Sequence, residues 1–139
     1  MKKEVAAGPN ILLIEEDEEV REGLRRILEA KGYQVVLAAN ETECAKALTG
    51  TKLEIGLILI SQKAGSDEAL AAGRRIRTQA KGSDSAPVIV IPNEYVDKME
   101  GKDENVGGTD HKIYMTSVMQ LEELLNRLLP FDFRQRSSR

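Results

Sequence analysis

An acidic run directly follows a short apolar run near the start of the chain, and carboxylates at such a place could do chemistry. Four apolar residues (11–14) precede five acidic ones (15–19). Carboxylate oxygens are good ligands for Mg²⁺. Acidic side chains also favour the first turn of a helix, where Asp caps free backbone N–H groups. The run therefore predicts either a metal site or the start of a helix, and the second interpretation needs no metal.

The chain offers few other groups for catalysis or metal binding. Its single cysteine, Cys44, lies at a core spacing, which predicts an inert buried thiol and excludes a multi-cysteine zinc site. The single histidine, His111, and Ser61 fall on different predicted strands, which favours a solvated or backbone-bonded histidine over a catalytic pair. The "GGT" at 107–109 is too short for a phosphate loop and predicts a turn.

Charge and composition limit the possible partners. The net charge of −3 and the pI of about 5.3 give no general attraction to nucleic acid or anionic membrane. The densest basic stretch carries Arg74, Arg75 and Arg77 on a predicted helix, and the absence of aromatic residues there favours a solvated face. The opening residues are too polar for a secretory signal, and no apolar run approaches the length of a membrane span. We therefore expect a cytoplasmic protein.

Strands and helices must bring these residues to their places in the fold. In the sequence, short apolar runs, which predict strands, alternate with segments of helical period. Strands are predicted over 10–14, 33–38, 53–60, 87–91 and 111–115. Helical segments lie between them, and a final helix begins at a capping box of Ser117 and Gln120. Residues 94–106 contain only Val96 and Met99 as apolar anchors, so any helix there should be short and weakly held.

This alternation predicts an α/β fold, a doubly wound parallel sheet of five strands with helices on both faces. The domain should cover 10–129, with an N-terminal tail over 1–9 and a C-terminal tail or the start of a linker over 130–139. Sites in such sheets form outside the carboxyl ends of the strands. One rim should therefore carry the following residues: Glu15, Glu16, Asp17, Ser61, Pro92 and Tyr114.

Residues 10–129 resemble the receiver domain of bacterial response regulators. The resemblance is carried, in order, by "ILLIEEDEEVREGLRRILEAKGYQVVLAAN", "GLILIS" followed by "RRIR", "PVIVIPN" and "GGTDHKIYM…LEELL". It implies a CheY-like, flavodoxin-like sheet with the strand order 2-1-3-4-5. It also implies an aspartate that ends the third strand and accepts a phosphoryl group. Beside that aspartate, receivers hold Mg²⁺ on acidic residues after the first strand, and a Ser or Thr and a Lys grip the phosphoryl oxygens.

The positions that carry this chemistry in receivers are altered in this chain. Glu15 and Glu16 stand at the acidic pair, with side chains one methylene longer. Ser61 stands at the phosphoacceptor position, and a free hydroxyl is a poor nucleophile without a base. Pro92 stands at the Ser/Thr position and has neither a hydroxyl nor a backbone N–H. Tyr114 stands at the lysine position and carries no positive charge.

Two further details of the resemblance stay open at the level of sequence. The switch aromatic of the fifth strand corresponds to His111, or to Lys112 if the register slips by one, in which case Met115 takes the lysine position. Lys63 could place its ammonium in the altered pocket and pair with Glu16. For the acidic run, we favour the helix start, with Asp17 as the cap, over a working metal site.

These substitutions predict a degenerate receiver, or pseudo-receiver, that is not an enzyme and needs no cofactor. Mg²⁺ is not expected, and its weak candidate ligands are Glu15 and Glu16. The expected function is a phosphorylation-independent regulatory or protein-interaction module in bacterial two-component phosphorelay signalling. One alternative is a receiver activated by an unusual input, such as a metal or a modified Ser61. Another is a small flavodoxin-like enzyme, although no glycine-rich phosphate loop follows any strand.

The expected partners are signalling proteins, including an output domain in the same natural chain, with no direct nucleic-acid binding and no membrane insertion. The interaction surface should be constitutive. We place it on residues 94–106 and on three positions predicted to be exposed, namely Lys112, Glu123 and Arg127. Because its apolar anchors are few, the segment 94–106 should also be among the most mobile parts of the domain.

Overall fold

The computed structural model describes residues 9–48, 54–61, 65–80, 85–92 and 97–129. The strands are β1 (Asn10–Ile14), β2 (Gln34–Ala38), β3 (Leu57–Ser61), β4 (Val88–Ile91), β5 (Asp103–Gly107) and β6 (Asp110–Ile113). The helices are α1 (Glu18–Ala30), α2 (Glu41–Leu48), α3 (Ser66–Gln79) and α4 (Val118–Leu128), with a single 3₁₀ turn at Asp97–Met99. The sequence pattern thus placed each of the five expected strands to within a few residues.

One sheet joins all six strands in the order β2-β1-β3-β4-β6-β5. The first five strands of this order are parallel, so the predicted order 2-1-3-4-5 is confirmed, with β6 in the fifth place. In the register, Ile14 lies opposite Ile60, and Ser61 lies opposite Ile91. The carboxyl ends of β1, β3 and β4 therefore meet at one edge of the sheet.

Helices cover both faces of the sheet, as the doubly wound prediction requires. On one face, leucines of α1 and α4 form an apolar cluster with the strands, which we call the α1/α4 cluster. On the other face, Cys44 of α2 and apolar residues of α3 form the α2/α3 cluster. The central strand β3 is fully buried from Leu57 to Ile60, in agreement with its uninterrupted apolar sequence. In the described ranges, no helix has the length and apolar character needed to cross a membrane.

The expectation that any helix within 94–106 is short agrees with the described part of that segment, but the strand β5 was not predicted. Only Asp97–Met99 forms a 3₁₀ turn, and residues 103–107 form the strand β5, antiparallel to β6. The reason lies in the turn: Gly107 and Gly108 adopt φ values of 133° and 57°, which favour glycine. Asn105 stabilises the turn by accepting from Gly107 N and donating to Gly108 O, at 2.9 and 2.8 Å. The sheet is therefore mixed and has six strands.

The helix starts agree with the predicted caps. Asp17 Oδ1 accepts a hydrogen bond from Val20 N at 3.0 Å, and Glu18 and Glu19 occupy the first turn of α1. Ser117 forms a capping box with Gln120 at the start of α4. The last three residues of the acidic run therefore serve as a helix start, as the sequence favoured.

Replacing Asp17 by alanine should lower the free energy of unfolding by about 1 kcal/mol, because the cap of α1 is lost. Urea denaturation followed by circular dichroism would measure the change, with and without Mg²⁺. Glu18→Ala, which removes a neighbouring carboxylate but no capping bond, is the matched control and should cost less. A cost for Asp17→Ala that appears only with Mg²⁺ present would contradict the cap as its cause.

Candidate functional site

The predicted rim of polar residues lies at the carboxyl ends of the parallel strands. Glu15 follows β1, Ser61 ends β3, Pro92 follows β4 and Tyr114 follows β6. Of these side chains, the structure brings Glu15 and Ser61 into direct contact. Glu16, the second residue of the acidic pair, points away into solvent. The two glutamates therefore have different roles, which their adjacency in sequence did not reveal.

The buried Glu15 carboxylate is the centre of this site. Its Oε1 accepts a hydrogen bond from Ser61 Oγ at 2.6 Å, and its Oε2 accepts from Asp17 N at 2.9 Å. Arg21 Nη1 donates to the backbone oxygen of Glu15 at 2.7 Å. Only 6% of the surface of Glu15 is exposed, so both carboxylate oxygens are satisfied within the protein. The arrangement ties the end of β1 to the end of β3.

These residues do not fit a magnesium ion. Mg²⁺ requires nearly octahedral oxygen coordination, for which receivers supply several carboxylates. Here Ser61 contributes a neutral hydroxyl, Glu15 is already bonded on both oxygens, and Glu16 lies outside the contact. Among the residues that the structure describes, no three His, Cys, Asp or Glu side chains are grouped to hold a metal.

The other two altered positions also lie where the sequence placed them. Pro92 is half-buried directly after β4. Tyr114 directly follows β6; its N–H donates to Lys102 O at 2.8 Å, and its carbonyl accepts from Gly101 N at 2.7 Å. Met115 is partly buried and packs against the edge of the α1/α4 cluster. Lys63, the proposed occupant of the pocket, lies outside the described residues, as do residues 1–8 and 130–139.

His111 and Lys112 both lie on β6. The structure agrees with the prediction for His111 but not with the predicted exposure of Lys112. His111 is buried, and its Nδ1 donates to Thr109 O at 2.9 Å, which agrees with a backbone-bonded histidine separated from Ser61 by β4. Lys112 was predicted to be exposed, but only 12% of its side chain is. Its Nζ donates to Asp67 Oδ1 at 2.8 Å, and this carboxylate raises the pKa of Lys112. Lys112 is therefore less exposed than predicted.

The remaining two surface positions lie on α4. Glu123 and Arg127 are both exposed, as predicted. Arg127 Nη2 donates to Asp103 Oδ2 of β5 at 2.8 Å.

Cys44 is buried, and burial, followed by the charges of Glu41 and Glu43, raises the pKa of its thiol to about 12. A thiol with that pKa remains protonated at neutral pH, as the prediction of an inert cysteine requires.

A buried ion cluster at the opposite end of the sheet was not predicted. The carboxylate of Asp110, at the start of β6, accepts from Arg74 Nε at 3.0 Å and from Arg77 Nη1 at 2.8 Å. It also accepts from Val88 N at 2.9 Å, and only 3% of Asp110 is exposed. Arg75 forms a separate pair with Glu41, at 2.8 Å from each carboxylate oxygen. The predicted solvated face is therefore correct for Arg75, which is exposed, whereas Arg74 and Arg77 are partly buried against Asp110.

The same contacts set the charge state of Asp110. Burial alone would raise the pKa of its carboxyl group, but the hydrogen bonds from Arg77, Val88 N and Arg74 together lower it below the ordinary value. The sequence indicated this cluster only weakly. Arg74 and Arg77 are spaced to lie on one side of a helix, but their acidic partner comes more than 30 positions later.

A doubly wound sheet in this order, with helices on both faces, is the flavodoxin-like arrangement that includes the CheY-like fold of response-regulator receiver domains. Solved structures agree with this assignment of the fold. CheY4 of Vibrio cholerae is 17% identical, with a TM-score of 0.65 over 88% of this chain and 100% of that chain. The receiver domain of the sensor histidine kinase PA1611 of Pseudomonas aeruginosa, solved with magnesium in its active-site cleft, is 22% identical. Its TM-score is 0.61 over 88% of this chain and 98% of that chain.

One curated protein is also similar in sequence. It is the uncharacterized transcriptional regulatory protein YkoG of Bacillus subtilis (strain 168), 31% identical over 121 residues. The match covers 86% of this chain and 49% of YkoG, so the chain spans about half the length of that relative. No protein-family model matches the chain.

Proposed function

We propose that the chain is a degenerate receiver domain that acts as a phosphorylation-independent regulatory or protein-interaction module in two-component signalling. The observation that carries the proposal is the contact of Ser61 Oγ with Glu15 Oε1, 2.6 Å apart, at the phosphoacceptor position. An acyl phosphate forms on a carboxylate, and the side chain in this position is a hydroxyl. The acid beside it is held by two hydrogen bonds instead of being free to bind an ion.

The two groups that would hold a phosphoryl oxygen support the same proposal. Pro92 offers no donor at the end of β4, and Tyr114 offers no positive charge after β6. A receiver switches because phosphorylation favours one of two conformations, and a ligand can do this only through differential affinity. Since none of the usual phosphoryl contacts is retained at these positions, the surface of the domain should not depend on phosphorylation.

The proposed partners are other signalling proteins. The exposed residues Glu123 and Arg127 on α4, beside β5, form the surface that we propose they contact. An output domain in the same natural chain is included in this proposal, because the similar protein YkoG is named a transcriptional regulatory protein and is about twice as long as the matched region.

Incubation with acetyl phosphate and Mg²⁺ should leave the intact mass of the protein unchanged, because Ser61 is not a carboxylate. Mass spectrometry would measure the result, with an aspartate-bearing receiver treated in parallel as the positive control. Beryllofluoride, which mimics an acyl phosphate, should not bind either.

The matched variant for this experiment is Ser61→Ala. A gain of one phosphoryl group in the wild type that is lost in Ser61→Ala would contradict the proposal. That result would favour the alternative of a receiver that is activated through a modified serine.

A further inference from the structure

The strand β5 forms the outer edge of the sheet and has little apolar anchoring. Within the described residues it pairs with β6 alone. Four of its five residues are exposed, and Val106 is the one residue that packs, partly buried, against the α2/α3 cluster. Since most of the stability of a strand comes from buried side chains, the apolar core contributes little to holding β5 in place.

Two arginines hold β5 from opposite faces of the sheet. From α3, Arg74 Nη2 donates to Val106 O at 3.0 Å. From α4, Arg127 Nη2 donates to Asp103 Oδ2 at 2.8 Å. The guanidinium of Arg74 is fixed in orientation because its Nε also donates to the buried Asp110. Each arginine therefore connects the edge strand to a helix that belongs to the main body of the domain.

We propose that β5 is a separately opening edge strand, held closed by Arg74 and Arg127. In the open state, β5 leaves β6, while β6 keeps its parallel pairing with β4 and the bonds of Asp110 to α3 and β4. Opening changes the surface beside α4 and removes one partly buried side chain, Val106, from the α2/α3 cluster. The domain thereby has a two-state element that is independent of phosphoryl chemistry, so this proposal stands or fails separately from the proposed function.

Residue-resolved hydrogen exchange on the full chain at neutral pH would test the proposal. The reporter is the amide of Tyr114, which donates to the carbonyl of Lys102, the residue directly before β5, so we expect this bond to break when β5 opens. The reference is the amide of Ile58 in the central strand, bonded to Pro87 O. In the wild type, the Tyr114 amide should exchange faster than the Ile58 amide.

Removing either arginine should favour the open state of β5, and Arg74→Ala also removes a bond to the buried Asp110. In Arg74→Ala, the exchange rate of the Tyr114 amide should rise by about tenfold or more, since a hydrogen bond to a charged group is lost. In Arg127→Ala, a surface variant that should not impair folding, the rate should rise by a smaller factor. The rate at Ile58 should stay close to that of the wild type in Arg127→Ala.

The matched control is Arg75→Ala, which removes an arginine–carboxylate pair from the same helix. Within the described residues, the side-chain hydrogen bonds of Arg75 go to Glu41 of α2 and not to β5. This control should leave the exchange rate of the Tyr114 amide unchanged. Equal acceleration at Tyr114 and Ile58 in both Arg74→Ala and Arg127→Ala would show global unfolding and overturn the proposal. An unchanged exchange rate of the Tyr114 amide in both variants would overturn the proposal as well.

Discussion

Replacing Asp110 by alanine should lower the free energy of unfolding by about 3 kcal/mol, the largest effect we expect from a single substitution. The carboxylate is buried and accepts hydrogen bonds from Arg74, Arg77 and Val88 N. Removing it leaves a buried backbone N–H without its acceptor and two arginines without their counter-charge. Urea denaturation would measure the change, because the midpoint falls while the slope is retained.

The matched control is Asp103→Ala in the same hairpin. Asp103 binds Arg127 at 2.8 Å, but this pair lies on the surface. An exposed ion pair contributes less than about 1 kcal/mol, so Asp103→Ala should have a small effect. If the two substitutions cost the same, burial is not what makes the Asp110 cluster stabilising.

The contribution of Asp110 should also depend on pH. The pKa of its carboxyl group is lowered in the folded protein, so the folded state holds the ionised form more strongly than the unfolded state does. The stabilisation is therefore fully present above the unfolded pKa of about 3.9 and is lost as the pH falls through the folded value. The difference in stability between the wild type and Asp110→Ala should shrink over that acidic window.

Replacing Ser61 by aspartate should make the stability of the domain depend on magnesium. The new carboxylate would lie against the buried Glu15 carboxylate, which in the wild type accepts a hydrogen bond from the Ser61 hydroxyl. Two carboxylates cannot share a buried site without protonation or a cation, so the melting temperature should fall in the absence of a divalent ion. At a Mg²⁺ concentration a hundredfold above the dissociation constant, binding would restore about 2.7 kcal/mol.

Thermal unfolding with and without millimolar Mg²⁺ would measure this dependence. In the wild type, Mg²⁺ should scarcely change the melting temperature, because Ser61 supplies no charge. Ser61→Asn, which has nearly the shape of aspartate but is neutral, should behave like the wild type. A rise of several degrees in the wild type that is specific to Mg²⁺ or Mn²⁺ would mean that Glu15 and Glu16 bind the ion without a third carboxylate.

The parallel part of the sheet could be predicted because its strands are short, apolar and separated by segments of helical period. Residues 57–60 illustrate this, since a strand buried on both faces needs an apolar residue at every position. The strand β5 could not be predicted in the same way. Its sequence, "DENVG", has one apolar residue, and its conformation depends on the glycine turn and on pairing with β6. Periodicity carries no information about either.

The sequence predicted where the residues of the site lie, but not which of their side chains are in contact. Parallel topology alone places Glu15 and Ser61 at one edge of the sheet, whereas their hydrogen bond depends on side-chain rotamers that the sequence does not specify. Lys112 is less exposed than predicted because its long side chain reaches Asp67 on α3, a contact between residues distant in sequence. The Asp110 cluster was only weakly indicated by the spacing of Arg74 and Arg77, since Asp110 lies more than 30 positions after them in the chain.

The hairpin of β5 and β6 has a consequence for the order of folding. These strands are joined by a turn at residues 108–109, so they can pair in roughly 1–10 μs, as isolated hairpins do. The central pairing of β1 with β3 brings Ile11 opposite Leu57 and must first close a long loop. Contacts between residues close in sequence form earlier than contacts between distant ones. The strand pair that we propose to open most readily in the native domain is thus the one that can form earliest in the unfolded chain.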